Sequence, residues 1–449
     1  MAAAIAARSC GLTVTLIDDQ PSPGGQIWRS VELTDRRDAI LGPAYREGRA
    51  VAEAFRASGA NYEPGAQLWQ LEPGFRAFVS RDRLAQVIEA NAVLLATGAQ
   101  ERPTPIPGWT LPGVLTVGAA QILLKNAGQI PAEPVWIAGS GPLPLLYAVQ
   151  LLKAGGKIGG YLDTTPAGQW RSALRYLSGA LRASADLGKG LGWMARLAAS
   201  RVPVMRGVTS LEAFGTDRLE GLRYRTADGS VATSGADVLL LHEGVVPNVH
   251  PAMALDCAMV WDEAQDCFKP AVNLWGKTSV AGLYVAGDGA GIAGGKAALL
   301  SGELAALRIA VKLGQLSETA AATRADQIRR KLRHELAARP FLDAMYRPRA
   351  EVFSPADATV VCRCEEITAG EIRSLARIGC PGPNQVKAAS RTGMGPCQGR
   401  QCGYSVTRIL SEAQGRSPAD VGFFHVRPPL KPVTLGELAS LHQDSGGGK

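Results

Sequence analysis

The segment TSVAGLYVAGDGAGIAGGKAALLSGELAALRIA, residues 278–310, constrains the fold most. A threonine leads into a short apolar strand, Leu283 to Ala286, which closes on Gly287-Asp288. A glycine-rich turn then opens a long helix at Gly294-Gly295. Strand, turn and helix in that order make half of a dinucleotide-binding unit, because bare N–H groups at a helix start hold an anion. The order of pieces matches the second of two flavin-binding motifs. Asp288 is expected to hydrogen-bond the ribityl or pyrophosphate side. The N–H groups at Gly294 and Gly295 are expected to face the flavin.

Three further segments carry the same kind of signal. Residues 2–9 (AAAIAARS) are helix formers, and Gly11 is a helix stop. TVTLID (13–18) then reads as a buried strand ending in Asp18, where an acid accepts hydrogen bonds from a ribose hydroxyl pair. The strand and Gly-x-Gly-x-x-Gly turn that open such a unit are missing. The expectation is a chain short by roughly 15 residues, with Met1 an internal methionine. Pro21, Pro23, Gly24 and Gly25, followed by Gln26, make a rigid, bare loop expected beside an isoalloxazine. Val93 to Ala96, closed by Thr97-Gly98, reads as the crossing between two dinucleotide domains. In PVWIAGSGPLPLLYAVQLLKAGGKIGGYLD (134–163), a strand, a Gly139-Ser140-Gly141 turn and a helix from Pro142 begin a second unit. Its next strand ends at Asp163, a second ribose acid, and Pro144 stands where the third glycine of the fingerprint belongs. NAD(P), an adenine nucleotide and an empty site all remain open for it.

This order predicts an α/β chain, a flavoprotein of two Rossmann-like dinucleotide-binding domains with a small helical C-terminal 2Fe-2S domain. Residues 1–130 and 266–312 form a discontinuous, N-terminally truncated FAD domain around a nucleotide domain at 131–265. A helical linker (313–355), a cluster domain (356–425) and a tail (426–449) follow. The stretch between Asp163 and Val202 is long for one such unit. Its Trp170, Leu174, Leu177 and Leu181 have helical spacing, read as buried packing in preference to a docking face. A net charge of +8 from scattered residues gives no case for nucleic acid. No apolar run is long enough to span a membrane, and the N-terminus lacks the pattern of a signal peptide, which points to the cytoplasm.

Five of the eight cysteines fall in the last 90 residues. Clustered cysteines without an export signal read as metal ligands before disulfides. Cys362 and Cys364 are one residue apart, and Cys397 and Cys402 are separated by four. Two close thiolate pairs suit a tetrahedral zinc or a 2Fe-2S cluster. The Cys-x-Cys pair is poor for a zinc knuckle, which favours the cluster. Thr368 is placed to cap the next helix, and Cys380 reads as buried and structural. His242 and Glu243 follow an apolar strand and read as a packed loop. No catalytic constellation is legible, and no Cys-x-x-Cys lies in the flavin region.

The chain resembles the alpha subunits of heteromeric FAD-dependent dehydrogenases that oxidise amino acids, namely opine oxidases, D-hydroxyproline dehydrogenase and hydrogen cyanide synthase. The segments LIDDQPSPGGQIWR, ATGAQERPTPIPGWTLPGVLTVGAAQILLK, AGSGPLPLLYAVQLL, HEGVVPN, LYVAGDGAGIAGG, CRCEEIT and GMGPCQGRQCG carry the likeness. The cysteine segment alone is similar to bacterioferritin-associated ferredoxin. The resemblance implies FAD, a 2Fe-2S cluster on the four paired cysteines, and a second nucleotide as an option. It also implies a beta subunit with its own FAD that oxidises an opine, D-hydroxyproline or proline-like substrate. It is compatible with a small gamma subunit, and with peripheral contact at the inner membrane face. The rival expectations are a self-sufficient NAD(P)H-dependent flavin and iron-sulfur reductase, and a scaffold that has lost FAD.

Overall fold

The computed structural model describes residues 1–33 and 37–441, the side chains of 185 and 186 excepted. The part of the expected tail past 441 lies outside the described residues.

Helix α1 (Ala2–Ser9) buries Ala4 and Ala7 and stops at Cys10-Gly11, where Gly11 has φ +84°. Only glycine takes that backbone without cost, so the helix ends where composition predicts. Strand β1 (Thr15–Asp18) pairs in parallel with β2 (Asn61–Pro64). An antiparallel sheet (Gln67–Glu72, Arg76–Arg81, Leu84–Glu89) follows. Then β3 (Val93–Leu95) and β4 (Ala99–Glu101) flank Thr97-Gly98.

Strand β5 (Val114–Thr116) leads into α2 (Val117–Ala127), capped by the Thr116 hydroxyl, which accepts the Ala119 N–H at 3.2 Å. Strand β6 (Val135–Gly139), helix α3 (Pro142–Lys153) and strand β7 (Ile158–Asp163) form the predicted second unit. With β8 (Val204–Arg206) and β9 (Val238–His242) they complete a five-stranded parallel sheet in the order β8-β7-β6-β9-β5. Val135, Ile137, Tyr147, Leu151 and Leu240 fill its core. The segment between β7 and β8 is helical as predicted (Gln169–Ala173, Leu177–Arg182, Ser184–Ala199). The expected burial of its large side chains is wrong. Trp170 is 51%, Leu174 48%, Leu177 39% and Leu181 60% exposed. The small Ala173 and Ala180 face inward instead.

Strand β10 (Val245–Pro247) runs antiparallel to β4, and β11 (Leu283–Val285) pairs in parallel with β3. The parallel strands of the first unit therefore stand as two separate pairs, β1-β2 and β3-β11. Helix α4 (Gly295–Lys312) starts from Gly294 at φ +98°. Helix α1 lies along it, and Ala3 stands 3.4 Å from where a Gly302 Cβ would be, so small residues set this close approach.

Helix Glu318–Glu335 and helix α5 (Arg339–Met345) lead to the C-terminal module. Helices α6 (Ala369–Arg377) and α7 (Gly403–Gln414), with the helix Pro383–Ser390, close over Ile372, Val386, Val406, Ile409 and Phe424. Thr368 and Glu371 cap α6 reciprocally. Cys380 is only half-buried, because the chain turns outward after α6. Its carbonyl accepts Gln414 Nε2 at 2.8 Å. Among the described residues no helix is long and apolar enough to cross a membrane.

Candidate functional site

Loops from three distant parts of the chain meet beside the β3-β11 pair. Thr97 Oγ1 donates to the Asn248 carbonyl at 2.9 Å, and the Asn248 N–H donates to the Gly98 carbonyl at 2.9 Å. A Cβ on Gly289 would stand 3.2 Å from Thr97 Oγ1, so the Gly287-Asp288 loop rests against the Thr97-Gly98 crossing. Asp288 Oδ1 accepts the N–H groups of Ala293 at 2.9 Å and Gly294 at 2.8 Å, holding the turn before α4. The Gly287 N–H donates to Ser301 Oγ at 2.9 Å. Open space lies before Gly25, Gly98 and Gly294, where an added Cβ would meet nothing within 4 Å. Bare backbone facing such space fits a flavin nucleotide that must lie close to the chain. Ile27 stands 2.9 Å from where a Gly295 Cβ would be, which brings the Pro/Gly loop to the start of α4.

Asp18 ends β1 as predicted. Its Oδ1 accepts the Gln20 N–H at 3.0 Å and its Oδ2 the Tyr62 hydroxyl at 3.4 Å. Burial pushes its carboxyl above the usual range, against the Gln20 bond. Gln26 is held from both ends. Its Oε1 accepts Arg29 Nη2 at 2.9 Å, and its carbonyl accepts Lys125 Nζ at 2.9 Å. Lys125 is buried, and burial, then the Arg29 charge, pulls its ammonium down to about 7. Sequence reasoning missed Lys125. The signal was present, because Val117, Gln121, Leu124 and Lys125 share one helical face, and that face is buried.

In the second unit the glycine turn forms, but it is covered. A Cβ on Gly139 would stand 2.1 Å from the His242 carbonyl oxygen, so the close approach of β6 and β9 requires that glycine. Gly141 starts α3 at φ +99°, and the Tyr346 ring lies 4.0 Å from where its Cβ would be. Asp163 Oδ1 accepts the Thr165 N–H at 3.0 Å. His242 and Glu243 are packed, as expected, and each has a charged partner that the sequence does not reveal. His242 Nδ1 lies 2.7 Å from Glu101 Oε1, and Arg349 Nε donates to Glu243 Oε1 at 2.9 Å.

The four paired cysteines converge. Cys362 and Cys402 are buried, Cys397 is half-buried and Cys364 is exposed. Cys402 acts on both Cys362 and Cys397, and Cys397 on Cys364, so the four thiols stand in a row Cys362–Cys402–Cys397–Cys364. The bond from Cys402 draws the Cys362 thiol down to about 6, against burial and with help from the N–H groups of Gly393 and Glu365. The same partner draws Cys397 down to about 5, with N–H groups of Gln401 and Gly399 adding to it. Cys402, donating to both, is raised well above the usual thiol range, and burial raises Cys364. A Cβ on Gly395 would stand 2.2 Å from Cys364 Cβ, so glycine lets the loop close on the row. Among the described residues no three ligating side chains surround one ion position. All eight cysteines are unpaired thiols. A row of four soft donors with backbone N–H groups aimed at them fits a two-metal, sulfide-bridged cluster better than a single tetrahedral ion. The module docks on the rest of the chain, where Trp109, packed in the core of the second unit, donates through Nε1 to the Val360 carbonyl at 2.6 Å. Gln100 Nε2 donates to the Arg400 carbonyl at 2.9 Å.

Comparison with known proteins agrees with this geometry. The pattern of the pyridine nucleotide-disulphide oxidoreductase family matches residues 1–314, and that of the sarcosine oxidase A3 domain matches 357–442. The A subunit of opine oxidase from Rhizobium meliloti is 44% identical, over 98% of this chain and 85% of that protein. Hydrogen cyanide synthase subunit HcnB of Pseudomonas protegens is 31% identical, over 99% and 96%. The crystal structure of L-proline dehydrogenase from P. horikoshii superposes with a TM-score of 0.71 over 97% of this chain and 77% of that one. At 18% identity that likeness speaks for the fold alone. The chain belongs to the pyridine nucleotide-disulphide oxidoreductase family and, within it, to the A subunits of heteromeric flavin-dependent oxidoreductases.

Proposed function

We propose that this protein relays electrons taken from an amino or imino acid. The oxidation itself occurs at a flavin of a beta subunit. An optional third member of the complex is a small gamma subunit. An opine as donor follows the opine oxidase relatives, and a proline-like acid follows the family resemblance in the sequence. The observation that carries the relay is the thiol row beside the flavin loops.

FAD supplies two-to-one electron conversion, and a 2Fe-2S cluster carries single electrons. Asp18 holds the ribose end, and Thr97, Gly98, Gly287, Asp288, Gly294 and Gly295 line the ribityl and pyrophosphate path. Gly24, Gly25 and Gln26 lie along the ring system. Gln26 is fixed there by Arg29 and Lys125, two buried cations suited to balance negative charge on a reduced ring. Cys362, Cys364, Cys397 and Cys402 ligate iron, with the N–H groups of Gly393, Gly399 and Gln401 donating to sulfur. Within this reading, 1–130 and 266–312 make the FAD domain and 131–265 the nucleotide domain, except that β5 and α2 (114–127) join the sheet and core of the nucleotide domain; 313–355 is the linker, 356–425 the cluster domain, and 426–449 a tail. Unpaired thiols throughout suit a reducing cytoplasm.

The test is anaerobic reduction of the co-purified heteromer by opines, D-hydroxyproline and proline. Bleaching of flavin together with the low-temperature EPR signal of a reduced 2Fe-2S cluster is expected. Cys397→Ser should keep the flavin bleaching at the partner and lose the second signal. Flavin reduction with no cluster EPR signal would reject the relay.

A further inference from the structure

The crevice of the five-stranded sheet opens at the carboxyl ends of β6, β7 and β9, where a doubly wound sheet takes its nucleotide. Residues 339–353 run across it. Helix α5 packs on the helix Gln169–Ala173, and Gln169 Nε2 donates to the Ala344 carbonyl at 2.7 Å. Tyr346 then lies over the glycine turn, its Cγ 4.0 Å from a Gly141 Cβ position. Its hydroxyl is raised by burial first and by the negative charge of Asp163 second. Three residues on, Arg349 is locked. Its Nε meets Glu243 Oε1 at 2.9 Å, with the two side chains 4% and 2% exposed, and its Nη1 donates to the Thr209 carbonyl at 3.0 Å. The Phe353 ring sits under the guanidinium carbons of Arg102 at 5.4 Å and Arg408 at 4.4 Å. The segment is thus pinned on both sides of the tyrosine.

A dinucleotide pyrophosphate needs the N–H groups at the start of α3 and the bare face of Gly141. An aromatic ring whose Cγ stands 4.0 Å from the Gly141 Cβ position occupies the space in front of that face which two phosphates need.

We propose that residues 339–353 form a strap across the second nucleotide crevice, and that Tyr346 excludes pyridine dinucleotides from the Gly139–Gly141 turn. Tyr346 is then a specificity-determining residue. It closes the protein to reduced nicotinamide and leaves the partner as the source of electrons. A cavity of about 430 Å³ beside the strap, lined by Thr164, Gly207, Thr209, Arg347 and Arg408, borders the adenosine side of the crevice. The proposal rests on reading β6, the turn and α3 as a nucleotide unit. It does not depend on the thiol row, so loss of the relay reading would leave it standing.

Equilibrium dialysis of the flavin-loaded heteromer against NADH and NADPH tests it. The unmodified complex is expected to show no saturable binding up to ~1 mM, a free energy near −4 kcal/mol. Tyr346→Ala should bind at least one of the two at least tenfold more tightly. Tyr346→Leu, a milder change, should give a smaller gain if the alanine variant fails to fold. Flavin content and melting temperature check the fold of each. Stoichiometric binding by the unmodified complex at ~100 µM or below would overturn the proposal. So would folded Tyr346 variants that bind no better than the unmodified complex.

Discussion

Lys125 has the most constrained charge near the flavin loop. An ordinary lysine titrates near 10.4, whereas burial holds this one at about 7. Between those values the unfolded chain binds more protons than the folded one, so stability rises with pH across that window. Below about 7 both states are protonated and the full penalty of burying the charge is present. The slope from this single group is at most about 1.4 kcal/mol per pH unit. Denaturant unfolding of the flavin-free chain from pH 7 to 10 is expected to show that rise, and Lys125→Met to remove it. Identical pH profiles would contradict the assignment. At this scale the sequence was informative where chemistry is local. Asp18, Thr97-Gly98, Asp288 and the four paired cysteines all stand at the loops their motifs predict. The partner of the Gln26 carbonyl and those of His242 and Glu243 lie about a hundred or more residues away, and no local pattern reveals them.

The second nucleotide unit depends on one close approach between elements. Strands β6 and β9 meet at Gly139, where a Cβ would stand 2.1 Å from the His242 carbonyl oxygen. Backbone cannot yield to that contact cheaply, so Gly139→Ala should cost more than about 2 kcal/mol, read as a lower denaturant midpoint with unchanged slope. A neutral substitution would show that the strands can part. The strap has a comparable weak point. Arg349→Met leaves Glu243 buried without its cation and should cost about 3–5 kcal/mol. Changing both residues to neutral partners, Arg349→Met with Glu243→Gln, should recover part of that loss. An equal loss in the double variant would mean the pair is not the lock. The alternation of strand, turn and helix was legible because each step has its own periodicity and glycine signal. The strap was not, because nothing in residues 339–353 indicates what they cover. The outward turn of Trp170 and the leucines after it was hidden for a related reason. Helical spacing defines a face but not its direction, and Ala173 and Ala180 took the inner side.

On the scale of the whole molecule, the C-terminal module is fastened to the rest of the chain by buried packing, Tyr404 and Phe423 against Val246, Cys267 and Phe268, and by hydrogen bonds. Trp109 is 7% exposed and joins the two through its bond to the Val360 carbonyl. Trp109→Ala should cost about 3–5 kcal/mol and split a single calorimetric transition into two, with the module melting first. One unchanged transition would show that other contacts suffice. The docking brings the Cys397–Cys402 loop to Gln100, two residues from the Thr97-Gly98 crossing, which puts sulfur and flavin loops side by side. The proposed relay requires that the row holds metal. Iron and acid-labile sulfide in the anaerobically purified heteromer, measured with the EPR spectrum after dithionite reduction, test that most directly. The prediction is about two irons and about two sulfides per chain with a rhombic reduced signal, all lost in Cys402→Ser. Zinc, or four thiols that react freely with a thiol reagent and no paramagnetic centre, would contradict it.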